Sequence, residues 1–432
     1  MQLKKNKTWS KAKKIIIGGN SLLSKRPDLF LPDYWPTYYS KASGVNLWDE
    51  KKQKYIDMIF AVGQNTLGYS NPKIDKVVKK IISKGTMTTL NCPEEYLLAK
   101  KLVKLHPWSD MVKFARSGGE ANSIAIRIAR AASKRDNVGI CGYHGWHDWY
   151  LSVNLRSKKN LNTHLLPGLE TDGVPKSLRN NVYAFNNNDL YALKKIYHKH
   201  KIGSLIIEIA RNHMPNETYL KSVREFCNKK KIVLIFDECT SGFRRNLGGI
   251  HLLAKVYPDI AMFGKALGNG YAITAVVGKK KVMEKAKNSF ISSTMWSERV
   301  GFVAALATLK EMERTKSFNQ IISNGKYINK KWLELSKKYN LNLKIKGFDC
   351  ITSFEFPKNN QIYKTFISQE MLKKGYLASN LIYISTKHTK KIIDNYIQAL
   401  DKVFYLIKNN KAKVIKSLLK GPVSKKTFKR LN

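Results

Sequence analysis

The 432-residue sequence is short of acid: 31 Asp and Glu stand against 78 Lys and Arg, a formal net charge of +47. It also lacks any apolar run approaching the roughly 18 residues of a membrane span, so no membrane association is expected. Its five cysteines (Cys92, Cys141, Cys227, Cys239 and Cys350) are odd in number and include no C-x-x-C pair. That gives no support to a disulfide framework or a zinc site and points to a reducing compartment. The first residues hold only a three-residue apolar run, Ile15–Ile17, too short for a secretory signal core. Pro (12) and Gly (26) are ordinary, and 11% aromatic content excludes collagen-like and disordered classes. No G-x-x-x-x-G-K-[ST] phosphate loop and no G-x-G-x-x-G dinucleotide fingerprint occurs.

The charge is spread. Residues 1–27 carry eight Lys and Arg and residues 402–432 carry ten, neither with an acid. Removing those 18 from +47 leaves +29 on residues 28–401. Solvated surface lysine, accompanied by many Asn and Ile, is the simpler reading, and a nucleic-acid role is not favoured. The basic ends are the segments best placed to meet acidic partners.

With 43% hydrophobic residues the chain can bury a large core, enough for one big domain and a smaller one. From about 70 to 310, short apolar runs alternate with helical stretches: Lys113–Arg116, Val138–Cys141, Ser204–Ile209, Ile232–Phe236 and Ile260–Phe263. That pattern predicts a mostly parallel sheet covered on both faces, an α/β class. Later segments, LNLKIKG and CITSFEF among amphipathic helices, predict a smaller α+β domain. The expected division is residues 1–65 packing with the small domain, 66–312 as the large domain and 313–432 as the small one.

Three segments carry chemistry. In Phe114-Ala-Arg-Ser-Gly-Gly-Glu-Ala-Asn122 a strand runs into Ser117-Gly118-Gly119 and a helix opens. Small residues there leave first-turn N–H groups accessible to a phosphate, although glycine near a helix start is common without any ligand. In Ile232–Glu238 an apolar run ends at Asp237 and Glu238, where open α/β sheets line their ligand crevice; helix capping is the plainer use of such an Asp. In Pro258–Gly270 a lone lysine, Lys265, follows an apolar strand among glycines and alanines. Enclosed there, its amine would lose its proton readily and serve as a Schiff-base nucleophile.

Glu208, Asp237 and Lys265 follow three strand-like runs, 29 and 28 residues apart, the length of one strand–helix–strand unit. Their side chains should therefore emerge along one sheet edge. A phosphate nest, a strand-end carboxylate and an enclosed lysine match what pyridoxal 5'-phosphate requires.

At this point the sequence resembles a known family. RSGGEANSIAIRIARAA, GYHGWHD, LIFDECTSGFR, FGKALGNGYAITAVVG and SSTMWSERVGFVAALATL are similar to the class III pyridoxal-phosphate aminotransferases of fold type I. Within them they resemble the branch that includes glutamate-1-semialdehyde 2,1-aminomutase. The resemblance implies a large domain with a mostly parallel seven-stranded sheet plus a smaller α+β domain. It also implies a cytoplasmic homodimer with shared active sites, acting on a small-molecule amino donor and a carbonyl acceptor. Lys265 would hold the cofactor aldehyde as an imine and shuttle a proton, and Asp237 would bind the ring nitrogen. Ser117, Gly118 and Gly119 would hold the phosphate, Tyr143 would stack on the ring, and Glu208 would lie near it. Thr294 would reach the phosphate of the neighbouring subunit.

Departures bear on the substrate. Where the family usually has Val two residues after the Asp, this chain has Cys239, read as packing against the ring. The aminomutase has a Thr and a Pro where this chain has Gly119 and Ile209, and the segments 210–213 and 295–299 also differ. These changes favour a donor-to-acceptor aminotransferase, with intramolecular aminomutase chemistry as the alternative. Arg26, Arg211 and Arg299 are candidates for binding a substrate carboxylate, each equally readable as a structural ion pair. His144 and His147 are placed to donate hydrogen bonds near the cofactor; two histidines at that spacing make no metal site, and none is expected.

Overall fold

A computed structural model of the chain describes Leu3, residues 5–155 and residues 171–426. Of the basic ends, Lys4, Lys429 and Arg430 lie outside the described residues. Two compact units emerge: one holds the residues up to Asn71 together with those from Asn319 on, the other Pro72–Phe318.

In the first unit, helix α1 (Lys7–Ile15) begins at Asn6, whose side chain accepts the Trp9 N–H, and buries Trp9 and Ala12. Strands β1 (Tyr39–Ser43), β2 (Asn46–Asp49) and β3 (Lys54–Asp57) then form an antiparallel meander. It turns through Gly44, whose φ of 60° favours glycine.

The second unit opens with α2 (Pro72–Ile82) and α3 (Pro93–Leu105), each with proline at its first position, where a missing N–H costs nothing. Its sheet comprises β4 (Met111–Ala115), β5 (Val138–Cys141), β6 (Val182–Ala184), β7 (Ser204–Glu208), β8 (Val233–Asp237), β9 (Ile260–Phe263) and β10 (Thr274–Gly278). Among the described residues the order is β4-β10-β9-β8-β7-β5-β6. Only β10 runs antiparallel to its neighbours, so the sheet is mostly parallel and seven-stranded. Strands β5 and β7–β10 are buried at every position, which is why their sequences are continuous apolar runs without alternation. Helix α4 (Gly118–Ser133) lays Ile124, Ala125, Ile128 and Ala129 on Ile140, Ile206, Ile235 and Met262. Truncating one of these isoleucines to alanine would cost roughly 2–5 kcal/mol. Helices α5 (Leu190–His200), α6 (Glu217–Lys230) and α7 (Arg299–Thr315) complete this unit's main elements.

Helix α8 (Ser317–Lys338) leads back to the first unit. There β11 (Lys344–Phe348) and β12 (Ile351–Glu355) form a hairpin and β13 (Tyr376–Leu377) adds in parallel to β3. Strand β14 (Leu381–Tyr383) pairs with β12, flanked by α9 (Asn360–Lys373) and α10 (Lys390–Asn409). The β3–β13 pairing shows why the two chain ends share a unit. His388 reinforces it: its Nε2–H donates to the Asp57 carbonyl (3.0 Å) while its Nδ1 accepts the Ser385 N–H (3.1 Å).

Candidate active site

The carboxyl ends of the parallel strands bring the predicted residues to one edge of the sheet. Strands β7 and β8 end in register at Glu208 and Asp237. Strand β9 stops two residues before Lys265, and β5 two residues before Tyr143. Asp237 is buried. Its Oδ2 accepts from Asn122 Nδ2 at 3.0 Å and faces His144 Nδ1 at 2.9 Å, and its Oδ1 accepts the Cys239 N–H at 3.0 Å. The far nitrogen of His144 faces the Cys141 carbonyl at 3.2 Å. Glu208, also buried, accepts the Tyr143 N–H at 3.2 Å, so it sets the backbone from which the Tyr143 ring projects.

The start of α4 is closed by a capping box. Ser117 Oγ accepts the Glu120 N–H and Glu120 Oε2 accepts the Ser117 N–H at 2.7 Å, a reciprocal cap. The N–H groups of Gly118 and Gly119 have no intrahelical acceptor. Gly145 passes directly over them: a Cβ on Gly145 would stand 2.9 Å from Gly119 Cα. A Cβ on Gly119 would lie 3.5 Å from His147 Nε2. Ser123 Oγ contacts His147 Nδ1, and partial burial lowers the pKa of that imidazole, which favours its neutral form.

Lys265 sits at φ 44°, in the left-handed region that costs a side-chain-bearing residue about 1–2 kcal/mol, immediately after Gly264. Its Nζ donates to Thr240 Oγ1 at 2.6 Å. The Cys239 thiol lies between the two glycines of the site: a Cβ on Gly118 would be 3.1 Å from Sγ and one on Gly264 2.9 Å. Burial pushes that thiol up to about 11, against the pull of Lys265.

Thr294 opens an exposed turn, Thr294–Ser297, tied to the same helix start. Arg116 donates to the Met295 carbonyl (2.6 Å) and the Trp296 carbonyl (3.2 Å), and Trp296 Nε1 donates to Glu120 (3.0 Å). Arg299 makes a two-bond pair with Glu94, at 3.0 and 2.8 Å, and that carboxylate occupies its guanidinium. Arg211 is half-buried just beyond β7. Arg26 belongs to the other unit, 3.7 Å from Asp28.

Several contributors are silent in the sequence. Asn122 lies one helical turn past Gly118, a spacing that places it on the same helix face, yet nothing in the sequence says that this face meets Asp237. Nothing in the sequence marks Arg116, Glu120 or Thr240 as contributors.

These residues fit pyridoxal 5'-phosphate. Free N–H groups and the Ser117 hydroxyl suit a phosphate, a buried carboxylate suits a protonated ring nitrogen, and an amine suits an aldehyde. The glycine cradle leaves room beside Cys239, and Asn122 Oδ1 is buried without a hydrogen-bond partner among the described residues. Fold and donor set together define an enzyme built around that cofactor. Residues 32–402 match the family aminotransferase class-III, and the chain belongs to it. It is therefore an enzyme of amino-group transfer, with pyridoxal 5'-phosphate as its cofactor. Over 328 residues it is 35% identical to 3-aminobutyryl-CoA aminotransferase of Cloacimonas acidaminovorans, covering 74% of this chain and 75% of that one. It is 30% identical over 436 residues to glutamate-1-semialdehyde 2,1-aminomutase of Methanocaldococcus jannaschii, covering 94% and 99%. Among solved structures, the FumI protein of Sphingopyxis sp. MTA144 shares the fold with a TM-score of 0.85 at 22% identity, over 94% of this chain and 98% of that one.

Proposed function

We propose that this enzyme moves an amino group between separate donor and acceptor molecules, with Lys265 as the amine that attaches the cofactor. The observation that carries this reading is the arrangement of Lys265 and Asp237. Asp237 closes β8 and Lys265 comes two residues after the adjacent parallel strand β9, with the Cys239 thiol beside Gly264. Bound here, pyridoxal phosphate would supply an electron-withdrawing ring that takes up the electron pair left when a substrate Cα–H bond breaks. Ser117, Gly118 and Gly119 would hold its phosphate, Asp237 its ring nitrogen, and Tyr143 and Cys239 its faces, beside Glu208. Lys265 Nζ, once released, would accept the Cα proton and return it at the cofactor carbon on the other side of the amino nitrogen. Arg211, half-buried just beyond β7, is the cation we assign to a substrate carboxylate; Arg299 pairs with Glu94, and Arg26 lies 3.7 Å from Asp28.

A homodimer completes this reading, with Thr294 reaching the partner's phosphate. In its support, Thr294 lines a groove of about 1010 Å³ with Met87 and Tyr96, and Leu90, Phe290 and Met295 of the same unit are exposed. Such apolar surface is characteristic of subunit contacts. We place the enzyme in the cytoplasm: its five cysteines are free thiols, and among the described residues no helix is long and apolar enough to cross a membrane.

The test is borohydride reduction of the cofactor-loaded enzyme followed by peptide mapping. Attachment at Lys265, abolished in Lys265→Ala, is expected; attachment elsewhere refutes the reading. A panel of amino donors against aldehydes and keto-sugars then decides the reaction. The long match to the aminomutase favours a second reading, which predicts conversion of an amino-aldehyde with no separate donor.

A further inference from the structure

Lys265 Nζ meets a hydroxyl that the cofactor chemistry above does not use. Thr240 is 4% exposed, and its Oγ1 takes the Nζ hydrogen at 2.6 Å. The turn that presents it is tightly held. The Cys239 N–H donates to Asp237 (3.0 Å), the Gly242 N–H to the Glu238 carbonyl (2.8 Å), and Arg244 Nε to the Thr240 carbonyl (2.5 Å). Gly242 cannot be bulkier, since a Cβ there would stand 2.7 Å from Phe263 and 2.9 Å from the Glu238 carbonyl oxygen. Glu238 is anchored in turn by the His251 N–H (3.0 Å) and ring (2.9 Å), with Trp108 Nε1 donating to the far ring nitrogen (2.8 Å). Two rigid loops, one from β8 and one from β9, therefore hold an oxygen and a nitrogen in contact at the reacting amine.

We propose that Thr240 is a positioning residue for that amine, an inference that rests on Lys265 being the point of cofactor attachment. A hydroxyl both donates and accepts, so it holds Nζ in either protonation state: it accepts from the charged nitrogen and donates to the neutral one. A lysine side chain has four rotatable carbon–carbon bonds, and on release from the cofactor its amine would otherwise sample many positions. The Thr240 contact keeps Nζ beside the carbon whose proton it must take, where misplacement by about 1 Å can cost roughly a hundredfold in rate.

The experiment compares Thr240→Val, nearly the same shape without the hydroxyl, with Thr240→Ser, which keeps it, in cofactor-loaded enzyme of unchanged far-UV spectrum. Thr240→Ala serves as a second hydroxyl-free form should the valine not fold. Borohydride trapping and peptide mapping come first. Attachment at a site other than Lys265 in the parent enzyme overturns the reading beneath and this proposal with it. With attachment at Lys265 in all forms, loss of a hydrogen bond to a charged nitrogen should lower kcat by about tenfold to a hundredfold, with KM for the donor nearly unchanged. The pH midpoint of the visible absorbance band should fall by about one unit, because the charged nitrogen has lost its acceptor. Thr240→Ser should restore both. A valine variant with parental kcat and midpoint overturns the proposal, as does a serine variant as impaired as the valine.

Discussion

His388 carries a stability prediction that can be worked from its surroundings. The ring is fully buried in the first unit, and burial lowers its pKa from 6.5 to about 4. Geometry agrees, because Nδ1 accepts the Ser385 N–H, and a proton there would set N–H against N–H. Between pH 6.5 and 4 the unfolded chain thus binds one proton that the folded chain refuses. Stability from this site is complete above pH 6.5 and is lost as pH falls toward 4, at about 1.4 kcal/mol per pH unit, close to 3 kcal/mol in all. His106, also held near 4 by burial, acts in the same direction, while Asp57, whose carboxyl burial raises, acts in the opposite one. Both persist in His388→Gln, so the difference between parent and variant isolates His388. The variant should be less stable at pH 7 by roughly 1–3 kcal/mol, having left polar groups unsatisfied. Its deficit should then shrink by about 3 kcal/mol at pH 4. Urea unfolding across this range, with coincident circular dichroism and fluorescence transitions, measures it. Parallel pH profiles for the two proteins would refute the reasoning.

Other outcomes follow from the same contacts. Gly325→Ala in α8 would gain about 1 kcal/mol in helix propensity. The new Cβ would fall 1.5 Å from the Asp349 carbonyl oxygen, so the net effect should be a loss of about 3 kcal/mol or more in urea unfolding. Gly118→Val should close the cradle beside Cys239 and weaken cofactor binding by about tenfold to a hundredfold, read by titrating cofactor-free enzyme. Cys239, with its pKa pushed up to about 11, is only about one part in a thousand thiolate at pH 8. Iodoacetamide at that pH should leave it unmodified by mass spectrometry until the protein is unfolded.

Much of the sheet was readable along the chain. Strands buried on both faces must be apolar throughout, so β5, β7, β8 and β9 stood out as runs, and their carboxyl ends pointed to Glu208, Asp237 and Lys265. The three-residue β6 carried too little pattern, and β10, the antiparallel strand, lay unmarked within a glycine-rich motif. The small-domain strands β11 and β12 were visible as LNLKIKG and CITSFEF; the parallel pairing of β13 with β3, between segments more than 300 residues apart, was not.

The order of apolar runs, glycines and one enclosed lysine was enough to indicate the fold class and the cofactor and to single out Lys265 as the candidate amine, because burial and backbone freedom act locally. Which side chains meet was decided only by packing. Asn122 and His144 reach Asp237 from 115 and 93 residues away, and Thr240 reaches Lys265 from 25. Glu94 engages an arginine 205 residues distant that the sequence offered for substrate. A hydrogen bond depends on separations of a few tenths of an ångström between atoms on different elements, and only the packed sheet and its helices set those separations.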